Sequence, residues 1–209
     1  MNDREALLQG LRHWPDAAAG CASGGRSTAP LDDPLGRFIE RMEAVRGEVI
    51  VCGQDAVPAR IADWLQAAGA ARLMAGSDAR LDPFIAGMEG RVECLRQEQD
   101  METVSDLLFN AVDAGFSHCE AAIAETGSLV IASSPVQPRA ISLVPPLHVA
   151  LLPRRELLDD MSALLAGYSG RRLPANLLLI SGPSKSADIE QVLAYGVHGP
   201  KRLLTVIYE

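Results

Sequence analysis

Apolar positions at helical spacing, and the polar stretches between them, divide the start of the chain. A helix is predicted over residues 2–12, where three leucines form one narrow stripe that could dock on the body or on another subunit. Residues 14–34 are rich in Ala, Gly, Ser, Pro and Asp, which indicates a mobile connection. Helical spacing resumes over residues 35–45. We therefore expect an N-terminal helix and flexible connection over residues 1–32 and a folded domain over residues 33–209.

Short apolar runs alternate with helical patterns in the next part of the chain. The runs, which predict strands, cover residues 48–52, 71–75 and 91–95. Helical patterns follow them at residues 61–68, 77–88 and 104–112, and Gly115 is expected to stop the last of these helices. Strands that are linked through helices by short connections form right-handed crossovers, and such crossovers build a parallel sheet.

Apolar runs lie closer together in the second half of the chain. Those at residues 119–124, 128–132 and 141–152 predict strands that meet at turns, with no helix between residues 117 and 153. A helix is predicted over residues 157–165 and a last strand over residues 203–207. The continuous run 176–181 predicts a strand buried on both faces, and the shared helical face of Ile189, Val192 and Leu193 predicts a helix directly after it. The predicted class is α/β, with a mainly parallel sheet flanked by helices.

The composition is typical of a globular protein and favours neither nucleic-acid binding nor a membrane span. Apolar residues make up 48% of the chain, and no apolar run approaches the ~20 residues of a membrane span. The net charge of -8 repels phosphate backbones. The N-terminus lacks the apolar stretch of a signal peptide, so we expect a cytoplasmic protein. Because the four cysteines are far apart and no histidine has metal-ligand spacing, we expect neither metal nor cofactor in this chain.

The turn that follows the apolar run 176–181 is the first candidate site. Gly182 and Ser184 lead into the predicted helix, whose free amides and nearby hydroxyls suit a carboxylate or phosphate, and Lys185 adds a positive charge. The first turn of that helix contains Ser186, Asp188 and Glu190. These three residues fit an ordinary helix start equally well, with the serine as N-cap and the acids complementing the helix dipole. The residues alone leave both interpretations open.

A second candidate lies between two apolar runs. Glu125 precedes a turn of Thr126, Gly127 and Ser128. The carboxylate could act as base or nucleophile there, because the glycine allows close backbone approach and the hydroxyls can orient a substrate. In the alternative interpretation, Glu125 is a charge on a hairpin and Gly127 is a turn residue.

Two isolated residues complete the set of candidates. Arg139 stands where a polar loop enters an apolar run, so its guanidinium could clamp a carboxylate or pair with a neighbouring acid. His198 precedes Gly199 in a Gly-Val-His-Gly-Pro sequence that predicts a tight loop. That loop would present the imidazole to a ligand or hydrogen-bond it internally. His148 follows two prolines in an apolar run and is interpreted as a core residue.

Three sequence blocks together resemble the LUD-domain family, in particular the lactate utilisation protein C group. The blocks are AIAETGSLV, PRAISLVPPLHVALLP and ISGPSKSADIEQVLAYGVHGPKRLLTVI, at residues 122–130, 138–153 and 180–207. The resemblance extends over residues 115–207. It departs from the family pattern at Ser128 and Ser186, where many members have threonine, although both serines keep the hydroxyl.

The resemblance implies a fold similar to that of ribose-phosphate isomerases, glucosamine-phosphate deaminases and coenzyme A transferases. It also implies a subunit of a system that oxidises L-lactate to pyruvate, with iron–sulfur clusters in partner subunits and a small anionic metabolite bound at the strand carboxyl ends. The alternatives are a non-catalytic accessory subunit that docks on iron–sulfur oxidoreductases, a sugar-phosphate-type enzyme, or a coenzyme A transferase-like enzyme with Glu125 as nucleophile. A homo-oligomer is compatible with each.

Thirteen residues are candidates for the functional site. The expected catalytic residues are Glu125, Asp188 and His198. The expected substrate-binding positions are Thr126, Gly127, Ser128, Arg139, Gly182, Ser184, Lys185, Ser186, Glu190 and Gly199.

Overall fold

The computed structural model describes residues 30–97, 107–170, 174–189, 192–196 and 199–209. The predicted N-terminal helix and nearly all of its connection lie outside these residues. Their assignment to a separate segment over 1–32 therefore stays a prediction. The described residues form the α/β arrangement that positions the candidate sites.

Six parallel strands form the central sheet. They are β1 (Glu48–Cys52), β2 (Arg72–Ala75), β3 (Glu93–Arg96), β4 (Ala114–His118), β7 (Leu147–Pro153) and β12 (Arg202–Tyr208). Their order across the sheet is β1-β12-β7-β4-β2-β3, and each neighbouring pair is parallel. The predicted α/β class with a mainly parallel sheet flanked by helices is confirmed.

Five α-helices accompany the sheet in the described part of the chain, besides a helical turn at residues 107–110. They are α1 (Pro34–Ala44), α2 (Val57–Ala67), α3 (Asp82–Ala86), α4 (Arg139–Leu143) and α5 (Met161–Gly167). The helical spacing predicted from residue 35 is confirmed by α1, and the Asp33 carboxylate caps this helix by accepting a hydrogen bond from the Gly36 amide at 2.9 Å. The longest of these helices have 11 residues, well short of the length that crosses a membrane.

A second, four-stranded sheet lies against one face of the central sheet. Its strands are β5 (Ala121–Ile123), β6 (Ser128–Ser133), β8 (Leu157–Leu158) and β9 (Asn176–Ile180), in the order β8-β5-β6-β9. Apolar side chains of this sheet and of α1 pack on β7 and β12 in one continuous core, and α2 and α3 cover the opposite face. Both faces of the strands β7 and β12 are therefore buried, which explains their continuous apolar runs.

The region after residue 175 differs from the sequence-based prediction. The strand β9 forms as expected, but it is an edge strand, and Leu179 is 48% exposed instead of buried. The helix predicted from residue 186 is wrong. Two antiparallel strands, β10 (Lys185–Ile189) and β11 (Val192–Tyr195), form a hairpin there. Apolar positions three and four residues apart are compatible with a short hairpin as well as with a helix, so the spacing did not distinguish them.

Three further predictions of secondary structure differ from the structure. Gly115 does not stop a helix, because it lies inside β4. Residues 139–143, placed partly in a predicted strand, form the helix α4, and the segment predicted as a helix from residue 157 begins with the short strand β8. A Cβ atom on Gly115 would lie 1.8 Å from the carbonyl oxygen of Ile141 in α4. Close packing of α4 on β4, rather than a turn, therefore requires this glycine.

Candidate functional site

A pocket of about 260 Å³ lies at the carboxyl edge of the central sheet. Five strands deliver polar side chains to it from their last residue or the residues just after. These side chains are Gln54 after β1, Arg80 after β2, His118 and Glu120 from the end of β4, Arg155 and Glu156 after β7, and Tyr208 at the end of β12. We call it the carboxyl-edge pocket. Ligands of open α/β sheets bind in this position, because side chains from separate crossovers meet there.

Arg80 is the centre of an ion-pair network in the wall of this pocket. It donates from Nε and Nη2 to the nearly buried carboxylate of Asp78, at 3.0 Å and 2.7 Å, and from Nη2 to Glu120 at 2.8 Å. Burial raises the pKa of Asp78, but the hydrogen bonds from Arg80 outweigh it and hold that pKa below its usual range. The same hydrogen bonds raise the pKa of Arg80, so its guanidinium stays charged.

His118 contributes a neutral imidazole. Burial lowers its pKa, and the positive charge of Arg80 lowers it further, against the opposing effect of nearby carboxylates. Its Nδ1 atom is buried and has no hydrogen-bond partner in the described part of the chain. The amide of Gln137 fixes the backbone of His118, since Oε1 accepts from its N–H at 2.8 Å and Nε2 donates to its carbonyl at 2.9 Å.

An aromatic pair closes one side of the carboxyl-edge pocket. The rings of Phe84 and Tyr208 meet edge to face, with centroids 5.2 Å apart. Burial raises the pKa of Tyr208, so its phenol is protonated at neutral pH and can donate a hydrogen bond. The pocket thus combines an apolar surface with a hydroxyl donor.

Arg155 is the more exposed of the two arginines that line the pocket. Its side chain is 79% exposed, and its Nε donates to Glu156 at 3.2 Å. Among the described residues, the ion pairs use Nε and Nη2 of Arg80 and Nε of Arg155, so Nη1 of Arg80 and both Nη atoms of Arg155 can donate to a ligand. A carboxylate with an adjacent hydroxyl or keto oxygen matches this set of N–H groups, neutral imidazole and phenol.

The predicted turn at residues 125–128 meets the turn at residues 181–182. The Ser128 hydroxyl forms hydrogen bonds with Thr126 at 2.8 Å and with Ser181 at 2.6 Å. Gly127 and Gly182 have positive φ values of 65° and 131°, and a Cβ on either would press on α1 or on Val45 just after it. Both turns therefore fit against the end of α1. The Glu125 side chain is exposed, and its backbone N–H donates to Asp159.

Gly182, Ser184 and Gly199 line a smaller pocket of about 140 Å³, together with Ser142 and His148. Pro200, in the same wall, precedes β12, and His148 is the second residue of β7. This amino-edge pocket therefore lies at the opposite end of the parallel strands from the carboxyl edge, where we expected these residues. The expectation failed because β9 belongs to the second sheet, so the turn after it does not lie at a carboxyl end of the central sheet.

The other predicted residues are placed separately. Arg139 is exposed at the start of α4, and it lines neither pocket. Lys185 is exposed at the start of β10, and Ser186 and Asp188 also belong to that strand, so the helix start expected for them is wrong. Two more of the thirteen candidates, Glu190 and His198, lie outside the described residues. The roles expected for all thirteen stay predictions.

The described residues show no cluster suited to a metal. No three His, Cys, Asp or Glu side chains among them come together as ligands. Burial raises the thiol pKa of Cys52, Cys94 and Cys119, which keeps these three side chains protonated.

Sequence reasoning missed the residues of the carboxyl-edge pocket. Arg80 was placed inside a predicted helix, and His118 in a region where the strand β4 was not recognised. Each stands at or shortly after the carboxyl end of a strand, which is a usable signal when the strand ends are known. A correct assignment of β4 would have pointed to His118 and Glu120.

Comparisons with known proteins agree on one family. The LUD domain model matches residues 35–208. The chain is 33% identical over 166 residues to lactate utilization protein C of Halalkalibacterium halodurans. This alignment covers 74% of this chain and 70% of that relative. The chain is 40% identical over 118 residues to a protein of Neisseria meningitidis serogroup B described as uncharacterized, covering 56% of this chain and 51% of that relative.

A solved structure supports the same assignment at the level of the fold. It is a DUF162 family protein from Deinococcus radiodurans, with a TM-score of 0.66 and 21% identity, covering 86% of this chain and 100% of that chain. The chain spans about half the length of the Neisseria relative. The family expected from the three sequence blocks is confirmed: this chain belongs to the LUD-domain family.

Proposed function

We propose that this protein takes part in lactate utilisation by binding a small 2-hydroxy or 2-oxo carboxylate in the carboxyl-edge pocket. The observation that carries the proposal is the convergence of Arg80, Arg155, His118 and Tyr208 at the ends of separate parallel strands. Relatives that bear the name lactate utilization protein C favour L-lactate or pyruvate among such acids.

The carboxylate of the ligand pairs with Arg155. This guanidinium is exposed and planar, so it can bind both carboxylate oxygens without first leaving a buried partner. Arg80 stays with Asp78 and offers Nη1 as an additional donor. Glu120 and Glu156 limit the site to a ligand with one negative charge, because a second carboxylate would face these acids.

The 2-oxygen of the ligand pairs with His118 and Tyr208. Because the imidazole is neutral, its unprotonated nitrogen can accept a hydrogen bond from a hydroxyl, and its N–H can donate to a keto oxygen. The phenol of Tyr208 donates to either oxygen. These two side chains are the elements of the pocket that distinguish lactate from a simple carboxylate.

Oxidation of L-lactate to pyruvate removes two electrons and two protons. The two electrons pass to iron–sulfur partner subunits, the class that the family resemblance implies, and the two protons are released to solvent. The identity of the partners and the contribution of each subunit are part of the proposal.

Calorimetric titration of the full chain tests this function. L-lactate and pyruvate should bind about tenfold more tightly than propanoate, which lacks the 2-oxygen and its hydrogen bond. Arg155→Gln should weaken all three acids at least about fivefold. His118→Gln should reduce the preference for lactate over propanoate and leave propanoate nearly unchanged.

Arg91→Gln provides the matched control for the loss of a surface guanidinium. Arg91 pairs with Asp63 on α2, outside the pocket, so this variant should bind like the native protein. Absence of lactate and pyruvate binding, or equal affinity for lactate and propanoate, would contradict the proposal. Loss of binding in Arg91→Gln to the same extent as in Arg155→Gln would show that net charge alone controls the affinity.

A further inference from the structure

A buried chain of hydrogen bonds lies beside the amino-edge pocket. His148 Nε2 is 3.2 Å from Ser117 Oγ, which is 2.8 Å from Ser142 Oγ. These three side chains come from β7, β4 and α4, and none is more than 1% exposed. The two ends of this chain of hydrogen bonds, His148 and Ser142, both line the amino-edge pocket. The Nδ1 atom of His148 finds no hydrogen-bond partner within the described part of the protein.

The two ends of this chain have complementary hydrogen-bonding roles in either tautomer of the imidazole. If His148 Nε2 donates to Ser117, then Ser117 donates to Ser142, whose hydroxyl is free to donate onward while Nδ1 accepts. If both hydrogen bonds run in the opposite direction, Ser142 donates to Ser117 and Ser117 donates to His148 Nε2. The imidazole proton is then on Nδ1, which donates to the ligand, while Ser142 Oγ accepts. In both cases a ligand that meets both ends of this hydrogen-bond chain needs one donor and one acceptor. A primary amide or an alcohol has that combination.

The pocket excludes charged ligands. Among the described residues that line it, none is Asp, Glu, Lys or Arg. Burial lowers the pKa of His148 to about 4, so the imidazole is neutral at pH 7 and supplies no counter-charge. Transfer of a carboxylate into such a pocket would cost its hydration without a compensating ion pair.

The volume of the pocket limits how much of an occupant it can enclose. A cavity of about 150 Å³ with apolar walls holds benzene, which has about six non-hydrogen atoms. The amino-edge pocket, at about 140 Å³, has the apolar side chains of Leu143, Ile180 and Leu203 in its wall. The occupant therefore has one polar end and a short branched or cyclic apolar body.

We propose that the amino-edge pocket is a second binding site, separate from the carboxyl-edge pocket, for a small uncharged amide or alcohol whose polar group bridges His148 Nδ1 and Ser142 Oγ. The site is independent of the proposed lactate function, because the two pockets lie at opposite ends of the parallel strands and share no lining residue. Its occupant extends a hydrogen-bond chain whose Nδ1 end has no partner among the described residues.

Two isosteric probes test this site, 2-methylpropanamide and 2-methylpropanoate. They have the same shape and differ in charge. Each is titrated into the full ¹⁵N-labelled chain, and the imidazole nitrogens of His148 and His118 are followed by NMR, with His148→Gln and His118→Gln used to assign their resonances among those of the four histidines. We expect a saturable shift of the His148 Nδ1 resonance with the amide and none with the carboxylate. The His118 resonances should not respond to the amide.

The outcomes separate the second site from its alternatives. If neither probe shifts His148, the pocket holds water only and the proposal is wrong. An equal response to both probes would refute the assignment to uncharged ligands. A shift of His118 alone would place the amide in the carboxyl-edge pocket and would also overturn the proposal, while leaving the lactate function to its own test.

A conservative variant adds a second measurement. Ser142→Ala removes one end of the hydrogen-bond chain and should weaken the amide about fivefold, the effect of one hydrogen bond. Ser133→Ala, in the four-stranded sheet and outside the pocket, is the control and should leave the affinity unchanged. Equal affinities of the two variants would contradict the assigned contact.

Discussion

Gln137 replaces a missing strand partner for His118. The strand β2 ends at Ala75, which pairs with Phe116 of β4, so two residues later the backbone of His118 has no neighbour on that side. The Gln137 side chain, 1% exposed, pairs with both the N–H and the carbonyl of His118. One amide therefore holds the end of β4, and with it an imidazole of the carboxyl-edge pocket, in place.

Replacing Gln137 tests this role. Gln137→Leu keeps the approximate volume but leaves two buried backbone groups unpaired, so it should lower the free energy of unfolding by about 3 kcal/mol. Urea denaturation measures the change. Gln66→Leu, at an exposed position of α2, is the control and should stay within about 0.5 kcal/mol of the native protein. A loss below about 1 kcal/mol in Gln137→Leu would show that water or another group can replace the amide.

Individual site residues were predictable from the sequence only where their role is local. Gly127 and Ser128 form a turn between strands, as their neighbours in the sequence indicate, and Gly182 has the positive φ that a turn glycine often needs. Arg80 and His118 carry no comparable local signal. Their proximity depends on which strands are neighbours in the sheet, and that order is set by packing across the whole domain.

Secondary structure was predictable where one local interaction dominates. The helix α1 begins at its aspartate cap, and the strands β1, β2 and β12 follow continuous apolar runs. The hairpin of β10 and β11 was not predictable, because its apolar positions also fit a helical face. The exposure of β9 was not predictable either, since an apolar sequence does not distinguish a central strand from an edge strand that packs on one side.

Because α4 packs closely on β4, we expect a side chain at position 115 to destabilise the protein. Gly115→Ala places a methyl group against the Ile141 carbonyl, so the helix and strand must separate, and unfolding should become easier by about 3 kcal/mol or more. Gly53→Ala is the matched control, because no atom lies within 4 Å of the added methyl group and φ is -67°. Thermal or urea denaturation of both variants should show a large loss at position 115 and little change at position 53. Similar stabilities would show that α4 and β4 can accommodate the methyl group without loss of packing.

At the scale of the whole molecule, the central sheet separates two chemically different pockets. The carboxyl-edge pocket is charged and open and is formed by residues after the strands, where insertions and loop changes are tolerated. The amino-edge pocket is small and uncharged and is formed where α4 and the start of β7 and β12 meet. The predicted α/β class is correct, but the sequence did not distinguish these two ends of the sheet, because that requires knowing that β9 lies outside it.

Buried His148 couples the stability of the whole domain to pH. Its pKa is about 4 in the folded protein and 6.5 when unperturbed, so the unfolded chain binds the proton more tightly. Stability from this group is fully present above pH 6.5 and is lost as the pH falls towards 4. Between pH 7.5 and pH 5 the free energy of unfolding should fall by about 2 kcal/mol through His148.

Urea denaturation at both pH values should show this loss in the native protein, and the loss should be about 2 kcal/mol smaller in His148→Gln. The lowered pKa of His118 contributes a loss of the same sign to both proteins and cancels in the comparison. An equal pH dependence in the two proteins would mean that His148 titrates normally in the folded state, which would require water or a charged group at Nδ1.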